Sequence, residues 1–163
     1  MNPVLTLLDR ALRAVLMLLL TAMVLAVTWQ VVSRYVLASP SSWTEEVARY
    51  LLIWIGLLGA AHAFRNRMHI GLDLLPRTLT GIAARRLHWL TLGCIILFAV
   101  TVLVFGGGQL VLLTWELRQT SAALGLPIAV VYSVIPLTGC IIVLYSVAGL
   151  TEQAGPDVAG ESD

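Results

Sequence analysis

Four long apolar stretches, separated by shorter polar ones, organise the 163-residue chain. They fall at about residues 12–36, 43–64, 87–113 and 128–150, and each is long enough for the ~20 residues a helix needs to cross a bilayer. The predicted fold is all-α: an integral membrane bundle of four transmembrane helices, forming one domain over residues 1–150. The remainder, "TEQAGPDVAGESD" at 151–163, is small and acidic and is expected to be disordered. Arg10 and Arg13 ahead of the first stretch imitate a secretory signal. The uncharged run at 14–33 is about 20 residues, longer than a signal's apolar region, so an uncleaved first span is expected.

Composition sharpens this picture. Hydrophobic residues make up 59% of the chain and charged ones only 12%, against roughly 25% charged in a soluble domain. Too little polar surface remains to cover a soluble globule. Every basic residue is Arg, and most of them collect at two places. Arg10 and Arg13 precede the first span, and Arg65, Arg67, Arg77, Arg85 and Arg86 lie between the second and third. The positive-inside rule then places both termini in the cytoplasm. Trp29, Trp43, Trp89 and Trp115 sit near the predicted span ends, as interfacial aromatics do.

Small residues suggest close helix contacts. Gly56 with Ala60, Gly59 with Ala63, and Ala22 with Ala26 have the four-residue spacing that lets helix backbones approach in lipid. Gly106, Gly107 and Gly108 interrupt the third span, where tilt or a kink is expected. Pro136 removes a backbone donor and frees the Tyr132 carbonyl, so the fourth span should bend. Ordinary packing explains all of these at least as well as a transport role.

The entrance to the second span, "SWTEEVARY", is unusual because it carries three charges. Ser42 and Glu45 fit a capping box, with both carboxylates at the positive end of the helix dipole. Glu45 and Arg49 are four apart and can pair. The uncharged part that follows, 50–64, is about 15 residues or roughly 22 Å, against a hydrocarbon layer of about 30 Å. Arg49 must therefore snorkel or be paired. Arg34, Glu45, Glu46 and Arg49 sum to zero and are expected to form one interfacial cluster beside Trp43. It could stitch two hairpin ends together, contact a partner protein, or hold an ion or substrate.

Other chemistry is thin. His62, His69 and His88 do not offer facing ring pairs at one depth, so no haem or other cofactor is expected. His69 and Asp73 are four apart and could order the inner loop. Cys94 and Cys140 lie in apolar runs without metal-ligand spacing and read as buried free thiols. Nothing resembles a phosphate loop, a nucleophile with its base, or a nucleic-acid surface.

These motifs together resemble the small membrane subunit of tripartite ATP-independent periplasmic (TRAP) transporters. The resemblance rests on "QVVSRYVL" (Gln30, Arg34, Tyr35), "SWTEEVARYLLIWIGLLGAA" (Trp43, Glu45, Glu46, Arg49, Gly59) and "RMHIGLDLLP" (His69, Asp73, Pro76). Gly71 and Leu72 stand where that family usually has a β-branched and a basic residue. The resemblance implies a non-enzymatic scaffold in the bacterial inner membrane. Its partners would be a large sodium-coupled membrane subunit and a periplasmic substrate-binding protein that captures an organic anion such as a carboxylate. The outer segments 35–46 and 115–127 would face that binding protein. The rival reading is the membrane anchor of a redox complex, of the cytochrome b kind. A further rival is a small transporter or channel working alone.

Overall fold

The computed structural model describes residues 3–39, 41–74 and 82–153. All of its regular elements are helical: α1 (Pro3–Tyr35), α2 (Ser42–Leu74), α3 (Ile82–Phe98), a π-helical segment (Ala99–Gly106), α4 (Gly107–Glu116), α5 (Ile128–Tyr132) and α6 (Val134–Gln153). Four stretches are long and apolar enough to cross a membrane: Leu5–Tyr35, Ser42–Asn66, Trp89–Glu116 and Ile128–Gly149.

Two helices outrun the predicted spans. α1 and α2 each have 33 residues, about 50 Å at 1.5 Å per residue, well beyond the ~30 Å hydrocarbon layer. Arg10, Arg13 and Arg65 do not end them, because a helix satisfies its own backbone on either side of the lipid boundary. His69 and Asp73, expected in a loop, therefore lie on helical backbone in the last part of α2; their side chains are outside the described residues. His88 and most of the acidic tail also fall outside the described side chains, although α6 extends to Gln153.

Among the described residues, α1 packs along α2, α2 along α6, and α6 along the π segment. The four spans thus stand in a row, ordered first, second, fourth, third, rather than in a closed ring. Leu5, Leu12, Leu58, Ala61, Ile141 and Tyr145 make the continuous buried seam between α1, α2 and α6. Most other large apolar side chains point outward, among them Leu18, Leu25, Leu97 and Phe105, as a lipid solvent permits. Cys94 and Cys140 are exposed free thiols. The expectation that they are buried is corrected, because each sits on an outward helix face.

The third span does not break at its glycines. Gly106 and Gly107 both keep α-helical dihedrals, and the irregularity is the π-helical segment that ends at Gly106. There the Gly107 N–H donates to the Val102 carbonyl five residues back, the wide-turn pattern of a π-helix. Of the three glycines only Gly107 is hemmed in. A Cβ there would lie 2.7 Å from Ile135 Cγ2, whereas one at Gly108 would meet nothing. Gly139 on α6 answers it, since its Cβ would lie 2.7 Å from Leu103 Cβ and 3.1 Å from the Val104 nitrogen. One glycine from each helix makes the close crossing.

The fourth span divides as Pro136 predicts. α5 ends at Tyr132, Ser133 forms a turn, and α6 begins at Val134. The Ser133 amide still bonds the Ala129 carbonyl at 3.0 Å. The missing proline N–H falls one turn after Tyr132, at the break between α5 and α6.

Candidate functional site

Polar side chains gather at the two ends of the row. At the α1–α2 hairpin, the Thr44 hydroxyl donates to the Ser41 carbonyl at 2.9 Å and meets the Ser41 hydroxyl. Ser33 at the end of α1 lies 3.4 Å from that hydroxyl. The local capping contacts thus run between Ser41 and Thr44, one residue earlier than the box expected from Ser42 and Glu45. Glu45 turns outward and pairs with Arg49 at 3.1 Å, both side chains more than 60% exposed. Such an i, i+4 pair contributes roughly 0.3–0.5 kcal/mol.

Glu46 takes a different role. Its carboxylate accepts the backbone N–H groups of Ala122 (3.1 Å), Ala123 (3.1 Å) and Leu124 (3.2 Å), together with the Ser121 hydroxyl. The loop between α4 and α5 is built to offer these donors. Ser121 donates to the Leu126 carbonyl at 2.8 Å and Ile128 to that of Gln119 at 2.9 Å, closing the loop at its base. Arg118 and Gly125 adopt left-handed backbone with φ 48° and 65°, which turns the chain tightly enough for successive amides to converge. Converging N–H groups of this kind form a nest for an anion, and here the anion is the protein's own carboxylate.

The expected single cluster of Arg34, Glu45, Glu46 and Arg49 is therefore divided. Glu45 and Arg49 pair on the surface, Glu46 fastens the opposite loop, and Arg34 forms no ion pair among the described residues. Its guanidinium stands in the last turn of α1, where the helix dipole favours positive charge. Trp43 is half-exposed beside them. The physical reason is distance in sequence: a local pair four residues apart forms without help, while the loop donors around residue 122 outnumber any single guanidinium.

The other end of the row holds a group that spacing alone did not reveal. Asp9 Oδ2 accepts from Arg65 Nε at 2.6 Å, and Asp9 Oδ1 accepts from the Tyr145 hydroxyl at 2.7 Å. The Arg65 guanidinium also lies 4.9 Å from the centre of the Tyr145 ring. Three spans meet at this carboxylate. Both charged side chains are largely buried, at 13% and 21% exposure, so each depends on the other for solvation. Asp9 is the acidic residue of α1, and an apolar stretch with one acid near its start was the signal available in the sequence.

Between the two ends the described interior is apolar, apart from two unpartnered polar atoms, His62 Nδ1 and Thr138 Oγ1, on different helices. No group of three or more metal-ligating side chains occurs among the described residues. The small residues of α2 do not pack within the chain as a pair of notches. Gly56, Ala60 and Ala63 are exposed, and a Cβ at Gly56 or Gly59 would meet nothing within 4 Å. Ala22 and Ala26 are half-buried on α1. An open groove of about 330 Å³ lies between α2 and α3 over α6, lined by Phe64, Thr91, Cys94, Ile95, Phe98 and Ile142.

Residues 23–154, most of the chain, match the family described as tripartite ATP-independent periplasmic transporters, DctQ component. The chain is 32% identical over 124 residues to the isethionate TRAP transporter permease protein DctMQ of Oleidesulfovibrio alaskensis, covering 72% of this chain and 19% of that protein. It is 33% identical over 95 residues to the C4-dicarboxylate TRAP transporter small permease protein DctQ of Rhodobacter capsulatus, covering 58% and 41%. It is 37% identical over 62 residues to the sialic acid TRAP transporter small permease protein SiaQ of Vibrio cholerae, covering 36% of each. The matched segment thus spans less than half the length of each of these relatives. Four helices long and apolar enough to cross a membrane and this match agree: the chain belongs to the DctQ component family of TRAP transporters, small permease subunits of the inner membrane.

Proposed function

We propose that this chain is the scaffold of a sodium-coupled TRAP transporter for an organic anion. In this reading it braces the large membrane subunit, offers its outer surface to a periplasmic substrate-binding protein, and keeps both termini in the cytoplasm. The observation that carries it is where the polar groups are. Among the described residues, Glu46 at the 121–124 loop and Asp9 at Arg65 and Tyr145 stand at the two ends and are consumed in the fold's own hydrogen bonds. A solute-carrying path needs polar or ionisable groups converging within the membrane, and the described interior offers only two separated polar atoms that are not already hydrogen-bonded.

The row arrangement supports the same reading. Helices set side by side present two broad apolar faces, more than a chain of this size needs for its own core. The substrate class is inferred from the relatives, whose names give C4-dicarboxylate, sialic acid and isethionate; all three are organic anions. The same module occurs within longer permease chains in two of the relatives, which is the sense in which a large subunit is its expected neighbour.

Reconstitution in sealed vesicles tests the assignment. The purified chain alone should drive no uptake of a labelled organic acid under a sodium gradient. Uptake should appear when the large subunit and the binding protein are supplied. Transport by the isolated chain would sink the scaffold reading.

A further inference from the structure

At the Glu46 end of the row, the third and fourth spans form a unit of their own. Residues 107–132, comprising α4, α5 and the loop between them, bury only two apolar side chains, Ala129 and Val131. Neither belongs to the buried seam that joins α1, α2 and α6. Apart from its continuation into the π segment, α4 packs mainly on α5, and α5 touches α2 and α6 only sparsely. Stretches with so few buried contacts are the ones that open first while the rest of a fold stays closed.

Both legs of this hairpin are weakened at one level. In the third span, the π segment gives way to α4 at Gly107, whose N–H reaches back five residues to the Val102 carbonyl. In the fourth, α5 ends at Ser133, the Leu137 amide meets the Ser133 carbonyl at only 3.3 Å, and Pro136 has no N–H to offer the Tyr132 carbonyl. The two weak points adjoin, since a Cβ at Gly107 would lie 2.7 Å from Ile135 Cγ2 and 3.1 Å from Pro136 Cδ. At the far tip of the hairpin, Glu46 of α2 accepts the amides of Ala122, Ala123 and Leu124 and the Ser121 hydroxyl. We propose that residues 107–132 form a flap, hinged at the junction of the π segment with α4 and at Ser133–Pro136, and latched to the second span by the Glu46 carboxylate. This goes beyond the scaffold reading, because it gives the brace one moving part, and it stands on the fold alone.

The hinges are set against a fixed base. Just beyond them Gly139 is pressed against Leu103 and Val104, which holds the π segment to α6, and Val134, Ile141 and Tyr145 keep α6 in the seam with α1 and α2. Only the parts on the Glu46 side are free to swing. π segments and prolines are where helices bend sharply, by about 20° or more. α4 has 10 residues, about 15 Å of helix, so a bend of about 20° at its base carries the loop through about 5 Å. With the latch closed, that swing is blocked by four hydrogen bonds to one carboxylate.

Distances between spin labels test the flap in the full chain, held in lipid nanodiscs with Cys94→Ser and Cys140→Ser removing the native thiols. Leu52, Leu97 and Ala123 are exposed and take the labels as Leu52→Cys, Leu97→Cys and Ala123→Cys. The 52–123 pair reads the flap against the second span, and the 52–97 pair reads the base. Glu46→Ala should lengthen or broaden the 52–123 distribution by about 5 Å, the swing of a bent hinge, and leave 52–97 unchanged. Glu46→Gln, which keeps the side chain's volume, should act in the same direction. Adding Pro136→Ala returns an N–H to the fourth span and should cut the Glu46→Ala effect by about half or more. A 52–123 distance indifferent to both changes at Glu46 would overturn the latch, and an equal change in 52–97 would overturn the flap as a separate unit. An effect that Pro136→Ala leaves intact would overturn the hinge.

Discussion

The Tyr145 hydroxyl donates to the Asp9 carboxylate at 2.7 Å across 136 residues of sequence, joining the last span to the first. The other oxygen of that carboxylate holds Arg65 of the second span. α1 otherwise leans mainly on α2, so this carboxylate, beside the apolar seam of Leu5 and Leu12, ties the first span to the fourth. Removing Asp9 leaves a largely buried guanidinium without its counter-charge, a loss of about 3–5 kcal/mol. Removing only the tyrosine hydroxyl forfeits one hydrogen bond to a charged group, about 1.5–3 kcal/mol. The expected order of thermal stability in detergent is wild type, then Tyr145→Phe, then Asp9→Ala. The double variant Asp9→Ala with Arg65→Ala should lose less than the sum of the two singles. Additive losses would show that the pair is not coupled.

The two neighbouring glutamates of the second span should respond very differently to substitution. Glu45→Gln breaks an exposed pair worth a few tenths of a kcal/mol, and no change in stability beyond about 0.5 kcal/mol is expected. Glu46→Ala strips three backbone amides and the Ser121 hydroxyl of their shared acceptor, and the 117–127 loop should open. A cysteine introduced at Ala123 reports this through its rate of labelling by a water-soluble maleimide. The rate should rise at least several-fold in Glu46→Ala and stay unchanged in Glu45→Gln. Equal rates in both would show that the carboxylate does not hold the loop.

How much of this was readable from sequence differs by the range of the interaction. The apolar stretches gave the four spans and the all-α class because membrane crossing is a property of composition over about 20 residues. The Glu45–Arg49 pair and the break in the helix ahead of Pro136 are consequences of local spacing. Glu46 carries a visible charge, but its partners are not legible, because its donors are amides 76 to 78 residues away and backbone amides carry no sequence signature. One acid near the start of an apolar run looks like a solvated terminus, and Asp9 gains its meaning only when the fold brings Tyr145 beside it. Charges do not mark the helix ends, since Arg10 and Arg65 stand on helix.

The arginine distribution predicts a topology that is open to direct measurement. Arg10, Arg13 and Arg86 are exposed at one end of the row, the end where Asp9 and Arg65 meet. The Glu46 loop lies at the other end. In right-side-out membrane vesicles, a cysteine at Ala123 should react with an impermeant maleimide, while one at Arg86 should react only after the vesicles are opened. The reverse pattern would invert the chain in the membrane and detach the 121–124 loop from any contact with a periplasmic protein.

The glycines separate a close crossing from an ornamental run. At Gly139 an added methyl would press on Leu103 Cβ at 2.7 Å and on the Val104 backbone nitrogen at 3.1 Å. A backbone cannot yield as a side-chain tip can, so the π segment and α6 must move apart and lose contact along their length. At Gly107 the obstruction is the Ile135 side chain and Pro136 Cδ at 3.1 Å, and the isoleucine can shift in part. At Gly108 nothing is met, and replacing glycine inside a helix gains up to about 1 kcal/mol from reduced backbone freedom in the unfolded chain. Alanine at the three positions should therefore be most destabilising at 139, less so at 107, and neutral or stabilising at 108. Loss at 108 equal to that at 139 would mean that the triplet, rather than the crossing, needs glycine.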